Sequence, residues 1–170
     1  MKECLDLIKN RKSIRHFASR DIDIELIRNI LEAARWAPSG LNNQPWKFVI
    51  VKNREIKEKI GNLSHYKRIF IEAPVLIPFF LDTSSLYHRE KDIMGLGAAV
   101  ENMLLAAESM GLGSVWLGEI IKAKEEVEKI LSMPDDTEFF GVVAIGYPNE
   151  NKTRERKRKK LSEIIEKEFL

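Results

Sequence analysis

The stretch Val75 to Leu81 is the longest apolar run in the 170-residue chain. It is too short to cross a bilayer, which takes about 20 apolar residues in a helix. It is long enough for one strand, and its unbroken hydrophobicity predicts a strand covered on both faces. A sheet covered on both faces needs other elements packed against each side, so this run commits the chain to a layered fold. Pro78 lacks an amide donor, which predicts an edge position or a bulge at that point.

The other segments supply the layers. Glu3 to Lys9 reads as a short helix. Ile24, Ile27, Ile30, Leu31 and Ala34 recur at spacings of three and four, which marks one apolar helical face. Asp23 is the expected N-cap, and Pro38 stops that helix by disfavouring helical geometry at Ala37. Phe48-Val49-Ile50-Val51 reads as a strand and Arg54 to Ile60 as a helix terminated by Gly61. His65, Tyr66, Lys67 and Arg68 fall in an expected loop. Asp92 to Met110 is the longest predicted helix, ended by Gly111. Its small residues Gly95, Gly97, Ala98, Ala99, Ala106 and Ala107 would let another helix approach closely, which makes it the candidate central or dimer helix. Ser114 to Leu117 and Phe139 to Ile145 complete a set of four strands, with a helix over Ala123 to Leu131 between them. The expected fold class is α+β, a central sheet with helices segregated onto its faces.

The length suits one domain. Residues 1–148 form its body, and the composition changes abruptly after Pro148. Asn149 to Lys160 is almost free of apolar side chains, and then Leu161, Ile164, Ile165 and Phe169 return at helical spacing. Residues 149–170 therefore read as an arm with an amphipathic end, which must dock on its own body or on a partner subunit.

Charged residues make up 32% of the chain and nearly cancel to a net +2, the balance of an ordinary soluble protein. Cys4 is the sole cysteine, so no intramolecular disulfide or zinc cluster is expected, and its amphipathic segment predicts a packed, inert thiol. Met1-Lys2-Glu3-Cys4 does not open a signal peptide, and a reducing cytoplasm is the expected location, with no membrane partner.

Four constellations could carry chemistry. Arg11-Lys12-Ser13-Ile14-Arg15 gathers three cations and a hydroxyl in five residues, a surface for an anion such as phosphate; a solvated basic turn has the same composition. Ala37-Pro38-Ser39-Gly40-Leu41-Asn42-Asn43-Gln44-Pro45-Trp46 is a stiff loop that offers amide and hydroxyl groups, suited to the polar edge of a planar heterocycle. Trp46 would anchor it by burying its ring, although helix-to-strand connections favour the same turn residues. Gly111 to Gly118 matches neither a P-loop nor a dinucleotide fingerprint; Gly118 would let a ligand approach the backbone at the end of a strand. Finally, seven of the nine residues Lys152 to Lys160 are basic. No aromatic residue interleaves them and no recognition motif accompanies them, so no nucleic-acid partner is expected.

Taken in order, these pieces resemble the nitroreductase family of flavoproteins. The resemblance runs from Arg11-Lys12-Ser13-Ile14-Arg15-His16-Phe17, through Ala37-Pro38-Ser39 and Asn42-Asn43-Gln44-Pro45-Trp46, to Gly111-Leu112-Gly113-Ser114-Val115-Trp116 and Gly146-Tyr147-Pro148. Arg158-Lys159-Lys160-Leu161 is similar to the family's Arg-Lys-Pro-Leu, with Lys160 in place of proline. The resemblance implies a mainly antiparallel sandwich and a homodimer with two composite FMN sites. It implies that Arg11, Lys12, Ser13 and Arg15 hold the phosphate and pyrimidine edge. Pro38, Ser39, Gly40 and Asn42 would come from the other subunit, supported by Gln44. Trp116, Leu117 and Gly118 would lie beside the isoalloxazine, and Arg158 would close the phosphate site. The closing helix from Leu161 to Leu170 would embrace the partner.

The implied activity is ping-pong hydride transfer from NAD(P)H through FMN to a small-molecule acceptor: a nitroaromatic, quinone or free flavin. The chemistry would be FMN's own, with no acid–base residue named. Only Asp82 to Lys91 separates the second strand from the long helix, too little for a large lid, so an open site is expected. The competing reading is a flavin-binding protein for storage or redox sensing.

Overall fold

The computed structural model describes residues 2–149 and 157–170. The chain runs α1 (Lys2–Asn10), α2 (Ile24–Arg35), β1 (Trp46–Phe48), α3 (Arg54–Gly61), α4 (Lys67–Glu72), β2 (Val75–Asp82), α5 (Arg89–Ser109), β3 (Gly113–Leu117), α6 (Lys124–Ile130) and β4 (Thr137–Gly146). The strands form one sheet in the order β1-β2-β4-β3, with every neighbouring pair antiparallel.

The continuous apolar run is β2, and it is covered on both faces as its composition predicts. Val75, Ile77, Phe79 and Leu81 enter a core with Ile27, Ile30, Leu96 and Met103 of α2 and α5. Leu76 and Phe80 enter a second core on the opposite face, with Ile60, Phe70 and Val127 of α3, α4 and α6. Strand alternation sends successive side chains to opposite faces, which is how one strand feeds both cores.

Pro78 does not lie at an edge. It sits inside β2 between β1 and β4, opposite Val142 and beside a register shift between Phe79 and Phe80. Its carbonyl accepts from the Val49 amide at 3.0 Å, so the missing donor leaves that bond intact. The bulge expectation survives one residue on, where Gly141 takes a φ of +154° opposite the Phe79 ring.

Other boundaries move. The first strand is Trp46–Phe48 rather than Phe48 to Val51, and Val51 makes an isolated bridge to Leu76. Gly61 lies within α3, and Asn62 caps it. Lys67 and Arg68 open α4 instead of lying in a loop, because Ile69 and Phe70 bury against the second core. Cys4 is exposed rather than packed, since α1 buries little of its length. Asp23 caps α2 as expected, accepting from the Glu25 amide at 2.9 Å. Gly111 ends α5 at a φ of +71°.

The arm departs furthest from the expected helix. Leu161–Glu163 is a single 3₁₀ turn, and no helix continues to Leu170. Leu161, Ile164, Ile165 and Phe169 are all exposed, Phe169 at 92%, so this apolar face does not dock on its own body. A short amphipathic segment without a surface to cover has little to hold it helical. Residues 152–156 of the basic stretch lie outside the described residues.

Candidate functional site

The cationic segment after α1 is held to the sheet's β3 edge. Ser13 forms a parallel bridge with Ser114, and the Ile14 amide donates to the Ser114 carbonyl at 2.9 Å. Ile14 is buried against Gly113, where an added Cβ would come within 2.7 Å of the isoleucine side chain. Further along, Phe17 bridges Pro148 and the Ala18 amide donates to the Tyr147 carbonyl at 2.9 Å. The segment is thus clamped at both ends. Arg11 pairs with Glu101 of α5, Nε to Oε1, at 3.4 Å. Lys12 is half-buried, and the Arg15 guanidinium turns back on the Ser13 carbonyl at 3.4 Å.

Trp116 belongs to the same edge, two residues beyond Ser114 on β3. Its ring meets Phe79 edge to face with centroids 5.5 Å apart, yet remains 43% exposed. Phe79 belongs to the core shared with α5, so Trp116 stands on the α5 face of the sheet. Leu117 is buried in the opposite core. Gly118 is exposed with a φ of −89°, and a Cβ there would only touch the Trp116 indole at 3.5 Å. Neither backbone nor packing within the chain requires glycine at that position.

The polar loop lies at the other edge, leading into β1. Leu41, Asn42 and Gln44 have φ of 53°, 57° and 49°, left-handed values that non-glycine residues adopt at a cost. Local bonds hold this shape. Ser39 Oγ accepts from the Gln44 amide at 3.0 Å, and Gln44 Nε2 donates to the Asn42 carbonyl at 3.0 Å. Pro38 is exposed, but its carbonyl lies 3.2 Å from where a Cβ on Gly95 would stand, so Gly95 lets the loop sit on α5. Trp46 is buried, as an anchor should be.

The residue that holds this loop in place is one that sequence reasoning missed. Asp92, in the first turn of α5, is fully buried. Its Oδ1 accepts from Asn43 Nδ2 at 3.0 Å, and its Oδ2 accepts from the amides of Tyr87 and His88 at 2.8 Å each. Burial opposes the charge, but the bonds from Asn43, His88 and Tyr87 outweigh it and keep the carboxyl below the usual aspartate range. Asn43 also donates to the Ser85 carbonyl at 3.0 Å, while its Oδ1 is buried without a partner. In the sequence Asp92 reads as one more acid in a helical first turn; its depth is a tertiary fact.

Asp92 and Glu101 are nine residues apart on α5. At ~100° and 1.5 Å per residue they project from opposite sides of the helix, ~13 Å apart along its axis. The loop Ser39–Gln44 is therefore tied to one side of α5, and the Arg11–Ser13–Trp116 group to the other. The two groups also lie at opposite edges of a four-stranded sheet, three inter-strand spacings or ~14 Å across. Arg158, on the arm, is exposed and donates to the neighbouring Lys157 carbonyl at 3.2 Å.

The family model for the nitroreductase family matches residues 8–67 and 64–147 of this chain. A protein of Archaeoglobus fulgidus, provisionally named NADH dehydrogenase/NAD(P)H nitroreductase, is 38% identical over 157 residues, with 89% of each chain covered. An iodotyrosine deiodinase of Thermotoga neapolitana is 32% identical over 179 residues, covering 91% of this chain and 93% of its own. A crystal structure from Desulfovibrio desulfuricans, provisionally named a nitroreductase and in complex with FMN, superposes with a TM-score of 0.92 at 38% identity, covering 98% of this chain and 96% of that one.

Proposed function

This chain belongs to the nitroreductase family, and from that premise we propose that it is an FMN-dependent NAD(P)H oxidoreductase whose flavin sites are each built from two subunits. The observation that carries the reading is the placement of Asp92 and Glu101 on opposite sides of α5. With the amide-rich loop tied to one side of α5 and Arg11 to the other, a second copy of the chain can set the loop of one subunit against the cationic group of its partner. An isologous two-fold dimer does this twice.

The donor set suits FMN. A phosphate dianion calls for several cations, and the chain carries Arg11, already paired with Glu101, together with Lys12 and Arg158, with the Ser13 hydroxyl as a neutral donor. Arg15 would meet the pyrimidine edge, where negative charge accumulates on reduction. From the partner would come Pro38, Ser39, Gly40 and Asn42, with Gln44 holding the shape of that loop. The half-exposed Trp116 ring and the backbone of Leu117 and Gly118 would lie beside the isoalloxazine, the Leu117 side chain being buried in the opposite core. Once bound, FMN supplies the redox chemistry, a hydride taken from NAD(P)H and passed to an acceptor. The chain contributes position and charge: cations that neutralise the phosphate and a guanidinium at the electron-rich edge.

Several surfaces support the homodimer. On the outward side of α5, Met94 is exposed and the space around Gly97 is open. Leu5 and Ile8 of α1 are about half exposed, and the apolar side chains at the end of the arm are exposed. The segment between β2 and α5 is short, which leaves the site open and favours loose selection among nitroaromatics, quinones and free flavins. Among the described residues no helix is long and apolar enough to cross a membrane.

The test is the visible spectrum of the purified protein, followed by steady-state NADPH oxidation with a nitroaromatic. Flavin absorbance with turnover is the expected result. Flavin absorbance without turnover would leave a storage or sensing protein, and a colourless chain that binds no added FMN would overturn the reading.

A further inference from the structure

Tyr87 is a surface aromatic held with unusual firmness. Its amide is bound by the buried Asp92 carboxylate, as is that of His88. Its ring lies against Gly40 so closely that a Cβ on that glycine would come within 2.5 Å of Cδ1. Yet the ring is 48% exposed, and the Lys91 ammonium stands 5.2 Å from its centroid. Surface tyrosines normally trade such fixing for rotamer freedom, because ordering a side chain costs entropy that surface contacts return poorly. Here one buried carboxylate grips both the Tyr87 backbone and Asn43 of the loop, and the glycine under the ring belongs to that loop.

We propose that Tyr87 is the wall against which a planar acceptor lies, that Lys91 selects acceptors carrying an anionic substituent, and that Asp92 is the positioning residue that holds this wall to the Ser39–Gln44 loop. The proposal rests on the reading of that loop as flavin-facing. A fixed aromatic face beside an isoalloxazine makes a slot for a flat ring, and stacking needs no hydrogen-bond code. The Lys91 ammonium stands over the Tyr87 ring, 5.2 Å from its centroid, and adds attraction for a carboxylate or phenolate on the acceptor's rim.

Steady-state kinetics of the FMN-loaded protein with 4-nitrobenzoate and nitrobenzene test the assignment. Tyr87→Leu should raise KM for both by about three- to tenfold, the worth of an aromatic pair, with a much smaller change in kcat. Lys91→Gln should raise KM for 4-nitrobenzoate only. Asp92→Asn should resemble Tyr87→Leu, and the double variant should be no worse than either single change, since both remove the same wall. Independently of flavin, Asp92→Asn should speed amide hydrogen exchange at Tyr87 and His88 in the apoprotein. Asn43→Ser cuts the loop from the same carboxylate while leaving Asp92 its backbone donors, and it should give the same KM rise if Asp92→Asn does not fold.

Unchanged exchange at both amides, or multiplicative effects in the double variant, would remove Asp92 from this role. An unaltered KM in Tyr87→Leu, with FMN bound normally, would overturn the acceptor wall alone. Failure of the wild type to bind FMN would overturn the flavin reading and this inference with it.

Discussion

Arg11 and Glu101 meet at 3.4 Å, the arginine side chain only 15% exposed and the glutamate 47%. The cation proposed for the flavin phosphate is thus already aimed by a carboxylate on α5. Arg11→Ala should weaken FMN binding by roughly tenfold to a hundredfold, the worth of one charge-assisted hydrogen bond. Arg11→Lys should recover only part, because an ammonium lacks the guanidinium fork. Glu101→Gln should tighten FMN modestly, since it removes an anion that competes with the phosphate. Fluorescence titration of the apoprotein with FMN measures all three, and an unchanged affinity in Arg11→Ala would remove that residue from the site.

Gly113→Ala tests how the cationic segment is seated. The new methyl would meet the Ile14 side chain at 2.7 to 2.8 Å, and the buried isoleucine has little room to yield. Overpacking of this kind costs about 1–3 kcal/mol. The melting temperature should fall, and FMN affinity should fall with it as the Ser13–Ser114 bridge is pushed apart. Gly97→Ala, where nothing lies within 4 Å, should leave monomer packing unaffected. Thermal melts of the two apoproteins make the comparison.

The buried carboxylate of Asp92 gives a pH dependence whose sign is set by its lowered pKa. A carboxyl that ionises more readily folded than unfolded stabilises the protein above its unfolded value of about 3.9. That stabilisation is lost as pH falls through the folded value. Asp92→Asn should therefore lower the melting temperature at pH 7 by roughly 3–12 °C, the equivalent of one charge-assisted bond. The gap between variant and wild type should close progressively below about pH 4. A gap independent of pH would mean that the carboxylate's charge contributes nothing.

Truncation after Asn149 keeps the Phe17–Pro148 bridge and removes Arg158 together with Leu161, Ile164, Ile165 and Phe169. Because this apolar face is exposed in the single chain, its removal should leave the monomer core folded. It should abolish both the dimer and FMN retention. Sedimentation and the ratio of flavin to protein absorbance decide. A truncated protein that stays dimeric and yellow would reduce the arm to a solvated extension.

Subunit mixing tests the shared site directly. Arg11→Ala damages the cationic half and Asn42→Ala the loop half. A heterodimer of the two carries one site with both defects and one with neither. FMN binding should return to about half the wild-type level per heterodimer, although both parents are defective at every site. If each site were built within one chain, every site in the mixture would carry one defect. Circular dichroism of the parents checks folding, and a mixture no better than its parents after verified exchange would sink the shared site.

Local pattern was enough for most of the elements. The apolar run at Val75 reads directly as a doubly covered strand, and Asp23, Pro38 and Gly111 punctuate helices through their own backbone chemistry. The cationic segment and the polar loop stand out by side-chain type, but local pattern alone left a solvated basic turn and an ordinary connection equally open; their proposed roles come from the family resemblance. Long-range relationships were not legible. Pro78 is a strand-breaker by local rule, but its carbonyl still serves β1 and a bulge follows it, so it stays interior. The spacing of Leu161, Ile164 and Ile165 marks an amphipathic face, but a face becomes a helix only where a surface covers it, and within one chain none does. Asp92 and Glu101 look alike as acids on one helix. Only the packing of α5 buries the first under Asn43 and turns the second out toward Arg11, because burial depends on which neighbours the whole fold brings to each side of a helix.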